Sequence, residues 1–374
     1  MGLSKIRLGD YIRRSTVNNK NLQYGEDLIV GVNNTGMFTT PKGSTNGVNL
    51  KPYKVVETGA FVYNPTRLDL GSIAYRTEGL CIVSHLYMVF YLTDEGKKII
   101  DPQWLFIYFR RKEFQREVTF RNFGSQRPEF NFEDMSNIVI PLPPIEIQRK
   151  YVAVYNAMLA NQQSYERGLE DLKLTCDAYI DKLKHKRTLV EIGDFIQQIN
   201  NKNIDNQKYR FAGLSMDNYF IDSIADDTEL DFTKYKIVEP NEYGAVLMKV
   251  GRDARLTIAR NTSNERYLIS PAYYTFRITG IMPEYFMACV NRPEFERRGW
   301  FSCDTSARGS LSWGEFMKLK IPNATDEEQS IISELYKVQV IRIGINEKLK
   351  TQIKDLCPIL IKGSIEEAMK TKGA

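Results

Sequence analysis

The chain has 374 residues, 43% hydrophobic and 26% charged, an ordinary soluble composition with length enough for two or three domains that each bury a core. A formal net charge of +5 permits a polyanionic partner without requiring one. Five scattered cysteines without a CxxC spacing, and only two histidines, argue against a disulfide framework, a zinc site and histidine-based nucleophile chemistry. The opening MGLSKIRLGDYIRRS holds no apolar stretch of signal-peptide length and no membrane-spanning run occurs, so the expectation is a cytoplasmic protein without membrane contact.

In chain order, Leu8 to Ile12 reads as a short helix or turn. The runs 27–32, 60–63, 81–84 and 87–92 are β-branched and aromatic between turn residues, which predicts strands. Asn33 to Asn49, with NNTG and PKGSTNG, predicts a long polar loop. Pro102 to Glu117 places Trp104, Ile107, Tyr108 and Arg111 on helical spacing, and Pro283 to Arg298 does so with Tyr285, Phe286, Cys289 and Val290. His85 reads as a strand residue packed near the core, and His185 as a complement to a helix C-terminus.

Behind Pro141-Leu-Pro-Pro144, the stretch Pro143 to Lys186 predicts one long amphipathic helix. Tyr151, Tyr155, Met158, Gln162, Tyr165, Leu169, Leu172, Cys176, Tyr179 and Leu183 alternate spacings of four and three, the a/d seam of a coiled coil. A helix of that length needs a partner. Ile331, Leu335, Val338, Arg342, Ile345, Leu349, Gln352, Leu356, Ile359 and Gly363 repeat the rhythm in step, 151 answering 331 and 183 answering 363. Polar breaks such as Gln162, Arg342 and Gln352 serve to fix register, and Pro358 is expected to kink or end the second helix early.

The first half of the chain recurs in the second. Ile6-Arg-Leu-Gly-Asp-Tyr-Ile12 answers Val190-Glu-Ile-Gly-Asp-Phe-Ile196, Asn18–Asn21 answers Asn200–Asn203, and Tyr53-Lys-Val-Val-Glu57 answers Tyr235-Lys-Ile-Val-Glu239. Glu113-Phe114 pairs with Glu294-Phe295, Ser125-Gln-Arg127 with Ser306-Ala-Arg308, and Glu146 and Gln148 with Glu327 and Gln329 at the head of each long helix. The fold expected is α+β: two duplicated mixed α/β heads, residues 1–142 and 188–322, each followed by a long helix, 143–187 and 323–374. The helices pair antiparallel as a two-helix coiled coil with pseudo-twofold symmetry, because no linker is free to carry the chain back for a parallel pair.

No catalytic constellation is present in the sequence. It has no GxxxxGK[ST] and no GxGxxG after a strand. Asp101-Pro-Gln-Trp104 lacks the second proline of an adenine methyltransferase motif and reads as a helix start with a core aromatic; Asn64-Pro-Thr-Arg67 fails the same test at its third position. The heads do interleave basic residues with aromatics and amides, and arginine forks, amides, lysines and hydroxyls are the groups that read base edges and hold phosphates. The DNA-contact candidates are Lys42, Arg67, Arg76, Ser125 and Arg127 in the first copy and Lys249, Arg252, Arg260, Ser306 and Arg308 in the second. Arg127 and Arg308 recur in Ser-x-Arg loops, where a salt bridge or cap is the competing reading. The acidic stretch Asp222 to Asp231 would repel phosphate.

These features together resemble the specificity subunit of type I restriction-modification enzymes. The likeness rests on the paired Gly9-Asp10 and Gly193-Asp194, the YKVV and YKIV segments, and GSQRPEFNFEDMSNIVIPLPPIEIQRK at the end of the first head; the second copy keeps Pro322, Glu327 and Gln329 but loses the Leu-Pro-Pro. The resemblance implies two target recognition domains reading a bipartite double-stranded DNA sequence, with helices that set the spacer and dock two methyltransferase (M) subunits. S-adenosylmethionine, Mg and ATP would belong to those subunits and to restriction (R) subunits, and this chain would itself be non-catalytic and without cofactor. A coiled-coil interaction adaptor without DNA specificity is the alternative. The pairing residues are then Tyr151, Tyr155, Met158, Tyr165, Leu169 and Leu172 against Leu335, Val338, Ile345, Leu349 and Leu356. The off-seam Val152, Val154, Leu159, Ile332 and Ile341 either dock the M subunits or widen the two-helix core.

Overall fold

The strand that opens each head pairs with the strand that leaves it. β1 (Ser4–Arg7) runs antiparallel to β10 (Val139–Leu142) with Ile6 opposite Ile140, and β11 (Leu189–Glu191) does the same with β20 (Lys320–Pro322), Val190 opposite Ile321. A glycine follows each opening strand because backbones meet there. A Cβ on Gly9 would lie 2.9 Å from the Ser136 carbonyl oxygen, and one on Gly193 2.9 Å from that of Met317. The computed structural model in which this is seen describes residues 3–41, 43–122, 129–223, 230–248, 250, 255–304 and 309–370. The chain divides into two units, Met1–Ser164 with Asn346–Ala374, and Tyr165–Ile345.

In the first unit an antiparallel sheet runs in the order β2 (Ile12–Arg14), β9 (Met88–Leu92), β6 (Phe61–Tyr63), β7 (Ile73–Tyr75). Two further antiparallel pairs accompany it, β3 (Gly31–Val32) with β4 (Phe38–Thr39), and β5 (Lys54–Val56) with β8 (Cys81–Val83). Four helices follow: α1 (Asp94–Ile99), α2 (Pro102–Phe109), α3 (Lys112–Arg121) and α4 (Phe132–Ser136). The core between sheet and helices is aromatic, with Phe61, Tyr63, Phe90, Trp104, Phe109, Phe114 and Phe130 all buried and Phe61 stacked on Phe90 at 5.0 Å.

The second unit repeats the plan. Its sheet is β12 (Ile196–Ile199), β19 (Tyr274–Ile278), β16 (Tyr243–Val246), β17 (Thr257–Arg260), and Tyr243 stacks on Phe276 at 5.0 Å where Phe61 and Phe90 stack in the first. The second sheet is larger here: β14 (Phe220–Asp222), β13 (Arg210–Leu214), β18 (Tyr267–Ile269), β15 (Lys236–Val238), with β13 and β18 parallel. Its helices are α6 (Pro283–Val290), α7 (Pro293–Phe301) and α8 (Trp313–Met317).

Several local expectations change. Only Gly31–Val32 of the run 27–32 is strand, since Glu26–Leu28 turns as a 3-10 helix, and the polar loop contains β4. Each stretch read as one helix is two, because Arg111 and Arg292 take extended backbone between them and Pro293 starts the next. Asp101 caps α2 by accepting from the amides of Gln103 and Trp104, a helix start rather than a catalytic loop. His85 is exposed in a turn that Tyr87 closes by donating to the Ser84 carbonyl, so it is not a core strand residue.

The long helices are α5 (Ile145–Lys186, 42 residues) and α9 (Asp326–Lys370, 45 residues). Gln148 ties the first to its head: its Oε1 accepts from Asp101 N at 2.8 Å and its Nε2 donates to the Ile99 and Pro143 carbonyls. Gln329 does likewise in the second unit, accepting from Met282 N at 2.9 Å and donating to the Ala324 carbonyl. In the first unit the start of α5 packs on the end of α9, with Tyr151 over Gly363, Lys150 bonded to Glu367 at 2.8 Å, and buried Gln162 donating to buried Asn346 at 3.0 Å. In the second unit Arg342 lies 5.8 Å from the Tyr165 ring and Arg187 pairs with Glu328 at 2.9 Å. Numbers rise on one helix as they fall on the other, so the segments run antiparallel within each unit.

On α5, Tyr151, Tyr155, Met158, Tyr165, Leu169 and Leu172 are half-buried. On α9, Leu335, Ile345, Leu349 and Leu356 are half-buried but Val338 is exposed. The buried line there runs through Ile332, Asn346, Ile353, Cys357, Leu360 and Ser364, each one residue on from the apolar rhythm. Polar Asn346 rather than Ile345 faces inward because Gln162 satisfies it. Pro358 does not end α9, since Cys357, Leu360, Ile361 and Ser364 pack into the first unit around it and outweigh one lost backbone bond.

Candidate nucleic-acid interface

A buried asparagine organises the same corner of each head. Asn19, 2% exposed, takes the Tyr24 amide on its Oδ1 and donates to the Tyr24 carbonyl, while its own amide donates to the Tyr53 carbonyl. Asn203, 1% exposed, does the same with Gln207 and Tyr235. The structural partner of Asn203 is therefore Asn19, not the Asn21 that the bare asparagine-rich motif aligns with it. Each knot sets a residue opposite the lysine of the repeated Tyr-Lys pair, Asn18 opposite Lys54 and Lys202 opposite Lys236.

That lysine is held alike in both copies. Lys54 Nζ donates to the Tyr87 carbonyl at 2.5 Å and Lys236 Nζ to the Tyr273 carbonyl at 2.6 Å, and no carboxylate pairs with either among the described residues. Burial, and then the nearby Arg14, hold the Lys54 pKa below the usual lysine value; burial and then Lys202 do this to Lys236. A half-buried ammonium with a like charge beside it and no acid is stabilised by an arriving anion. The knot is fed by the edge strand of the main sheet. In the first head that strand, β2, exposes Arg13 and Arg14; in the second, β12 exposes Gln197 and Gln198 at the same places, opposite Arg277 and Phe276 as Arg13 and Arg14 stand opposite Tyr91 and Phe90.

Of the ten residues that sequence pattern singles out for DNA, Lys42, Ser125, Arg127, Lys249, Arg252, Ser306 and Arg308 lie outside the described residues. Arg67 is exposed, with no side-chain hydrogen bond or ion pair among the described residues. Arg76 is half-buried, donates to the Leu80 carbonyl at 3.3 Å and lies 5.3 Å from the Phe38 ring. Arg260 is held by Glu284 and Asn241, each at 2.8 Å, inside its own head. The edge-strand residues escaped the pattern because IRR and IQQ differ chemically; only their shared distance from the Gly-Asp start would have matched them.

Several of the remaining arginines differ between the heads. In the second, Arg210 pairs with Asp222 at 2.6 Å, Arg266 with Glu239 at 2.9 Å, Arg277 with Glu242 at 2.7 Å, and buried Arg292 with Asp181 at 2.6 Å. In the first, Arg110 is buried against the Gly71 and Asn34 carbonyls and Arg111 lies 3.8 Å from the Tyr108 ring. Exposed Arg13, Arg14 and Arg67 have no carboxylate partner among the described residues.

Residues 5–167 match the family described as Type I restriction modification DNA specificity domain. No curated protein matches the chain. Among solved structures, the type I restriction-modification S subunit from M. genitalium is similar at a TM-score of 0.55 and 12% identity, over 97% of this chain and 96% of that one. The HsdS subunit from Thermoanaerobacter tengcongensis gives 0.38 at 16% identity, over 97% and 96%. A chain from work on complex assembly and conformational transition of the type I R-M system gives 0.48 at 16% identity, over 97% of each. The first of these likenesses supports a common fold of heads and long helices. The family match lies within residues 5–167, and the scaffold it covers recurs in the second half of the chain.

Proposed function

We propose that the chain reads a bipartite, asymmetric double-stranded DNA target, one half-site per head, and assembles the enzymatic subunits of a type I restriction-modification complex on it. One observation carries the reading: a duplicated scaffold bears unlike side chains at matched exposed places, Arg13-Arg14 in one head and Gln197-Gln198 in the other. Arginine forks suit guanine edges and glutamine amides suit adenine edges, so the two heads are equipped for two different half-sites. On this reading residues 1–142 and 188–322 are the target recognition domains, and 143–187 and 323–374 are the spacer helices. The chain is non-catalytic. Two M subunits bring S-adenosylmethionine and methylate adenine N6, and R subunits bring ATP and Mg.

Support for a protein partner on the helices comes from apolar residues left in solvent. In the second unit Leu174, Ile331, Val338, Val340, Ile341 and Ile343 are exposed, and in the first Val154 and Ile359. Of the off-seam residues, Val154 and Ile341 remain candidates for docking; Val152 and Ile332 are buried in the head cores, and Leu159 is half-buried. Methylome sequencing of cells that express the chain with its M subunits tests the whole. It should return a two-part motif, and the pair Arg13→Ala, Arg14→Ala should relax one part only. A one-part motif, or relaxation of both parts, would sink the reading. The adaptor alternative predicts DNA binding that salt barely changes, whereas a phosphate reader loses affinity steeply. Deleting a heptad from both helices should change the spacer, since sites on one face of DNA recur about every 10 base pairs.

A further inference from the structure

In each unit the helix that begins after Arg111 or Arg292 carries an exposed phenylalanine at its end. Phe120 on α3 is 83% exposed and Phe301 on α7 is 79%. Their places correspond. Phe114 and Val118 are buried on α3, Phe295 and Gly299 on α7, and the exposed residues fall at the same steps: Arg116 with Phe120, Arg297 with Phe301. Four residues apart, each arginine and ring share one helix face. Arg297 has no hydrogen bond or ion pair among the described residues, and Arg116 has only an exposed contact with Glu113 at 3.3 Å, which holds it weakly.

One exposed aromatic needs no explanation. The same Arg-x-x-x-Phe on the outer face of both copies does, because inward packing sets 114/118 and 295/299 and leaves the outer positions free to vary. The surroundings favour nucleic acid over a protein surface. Phe120 stands beside exposed Arg116, Thr119 and Arg121 on its helix, whereas the cores of protein interfaces are depleted of charge. A cation one turn from an exposed ring can seat a phosphate while the ring, which in the second copy lies 5.1 Å from that of Trp300, stacks on a base or wedges into a base step.

We propose that Arg116–Phe120 and Arg297–Phe301 form a duplicated DNA-probing element, each arginine on a backbone phosphate and each ring stacked on a nucleobase of the half-site its head reads. This rests on the DNA-reading function above. The probe is a duplex carrying the methylome-determined target, with 2-aminopurine placed at successive positions, bound by the chain assembled with its M subunits. Phe120→Ala and Phe301→Ala should each lower target affinity about 5- to 150-fold, the worth of one stacked base, and abolish the 2-aminopurine response in one half-site. Phe→Trp should retain both. Arg116→Ala and Arg297→Ala should instead lower the salt slope by about one. Unfolding temperature and assembly with M subunits in the absence of DNA should not move in any variant. Wild-type affinity in both alanine variants would overturn the proposal, as would loss of M-subunit assembly without DNA, which would make the rings a protein contact. If the wild-type assembly itself fails to prefer the target over an unrelated duplex, the DNA-reading function falls and this element with it.

Discussion

Arg111 in the first head and Arg292 in the second occupy the same place, between two short helices, yet meet different neighbours. Arg111 lies against the Tyr108 ring at 3.8 Å and donates to its carbonyl, while Arg292 is 6% exposed among Asp177, Asp181 and Glu294. The contrast extends outward: Arg13, Arg14 and Arg67 face solvent without acids, where Arg210, Arg266 and Arg277 are each bound to one. At these places the scaffold leaves positive charge available in one copy and pairs it with an acid in the other. A phosphate approaching Arg13, Arg14 or Arg67 displaces no carboxylate, whereas one approaching Arg210, Arg266 or Arg277 must displace one. The first head should supply most of the salt-dependent affinity, and the second should rely on amides such as Gln197 and Gln198 and on stacking.

The shared half of the comparison breaks most severely at the glutamines that anchor the long helices. Gln148→Leu leaves Asp101 N–H and the Ile99 and Pro143 carbonyls without their partner, and Gln329→Leu strands Met282 N–H and the Ala324 carbonyl. Each should cost about 2–3 kcal/mol, read by denaturant unfolding, and the two should match if the junctions are equivalent. A loss in one variant only would show that the anchors differ in kind.

The differing half is sharpened by removing the matched arginines. Arg292→Met leaves Asp177 and Asp181 facing apolar surface, but both stay partly hydrated, so about 1–2 kcal/mol is expected rather than the full penalty of a buried pair. Arg111→Met gives up only a ring contact and one carbonyl bond, about 0.5–1 kcal/mol. Equal losses in thermal unfolding would undo the contrast. Acid probes the second unit separately. Arg187, first among its partners, holds the Glu328 carboxyl down to about 2 from an ordinary 4.5. A depressed carboxylate stabilises the fold above its ordinary pKa and loses that contribution as pH falls toward the folded value, so a stability titration should drop between about pH 4.5 and 2. Glu328→Gln should flatten that part of the curve.

Much of this organisation was legible in the chain because duplication states everything twice. Gly9 and Gly193, Gln148 and Gln329, and the Tyr-Lys pairs are fixed by backbone approach, buried amides and a carbonyl cradle, so they survive divergence and show as repeats. The line buried on α9 was not legible. Apolar rhythm selects Val338 and Ile345, but burial is decided by the head cores and by the Gln162–Asn346 hydrogen bond, and exposed Ile341 and Ile343 look like core residues to any count of hydrophobics. The candidate contacts were least legible, since a single arginine reads alike whether it faces water, as Arg67 does, or an acid, as Arg260 does. Identical packing requirements leave matching letters; exposed edge places such as Arg13-Arg14 and Gln197-Gln198, which packing does not constrain, leave none.

The smallest effect concerns the two cradled lysines. Burial and the neighbouring Arg14 lower the pKa of Lys54, and burial and Lys202 lower that of Lys236. A phosphate favours the charged ammonium, so DNA affinity should fall as pH rises through each lowered pKa, and binding there should take up a proton. The neighbours distinguish the heads. Arg14 stands beside Lys54, and Lys202 beside Lys236. Affinity measured from pH 7 to 10 at constant ionic strength should therefore show a loss that Lys54→Arg removes while keeping the affinity at pH 7. Lys236→Arg should act in the same direction in the second head. A wild-type profile as flat as that of Lys54→Arg would mean that no phosphate reaches the first cradle.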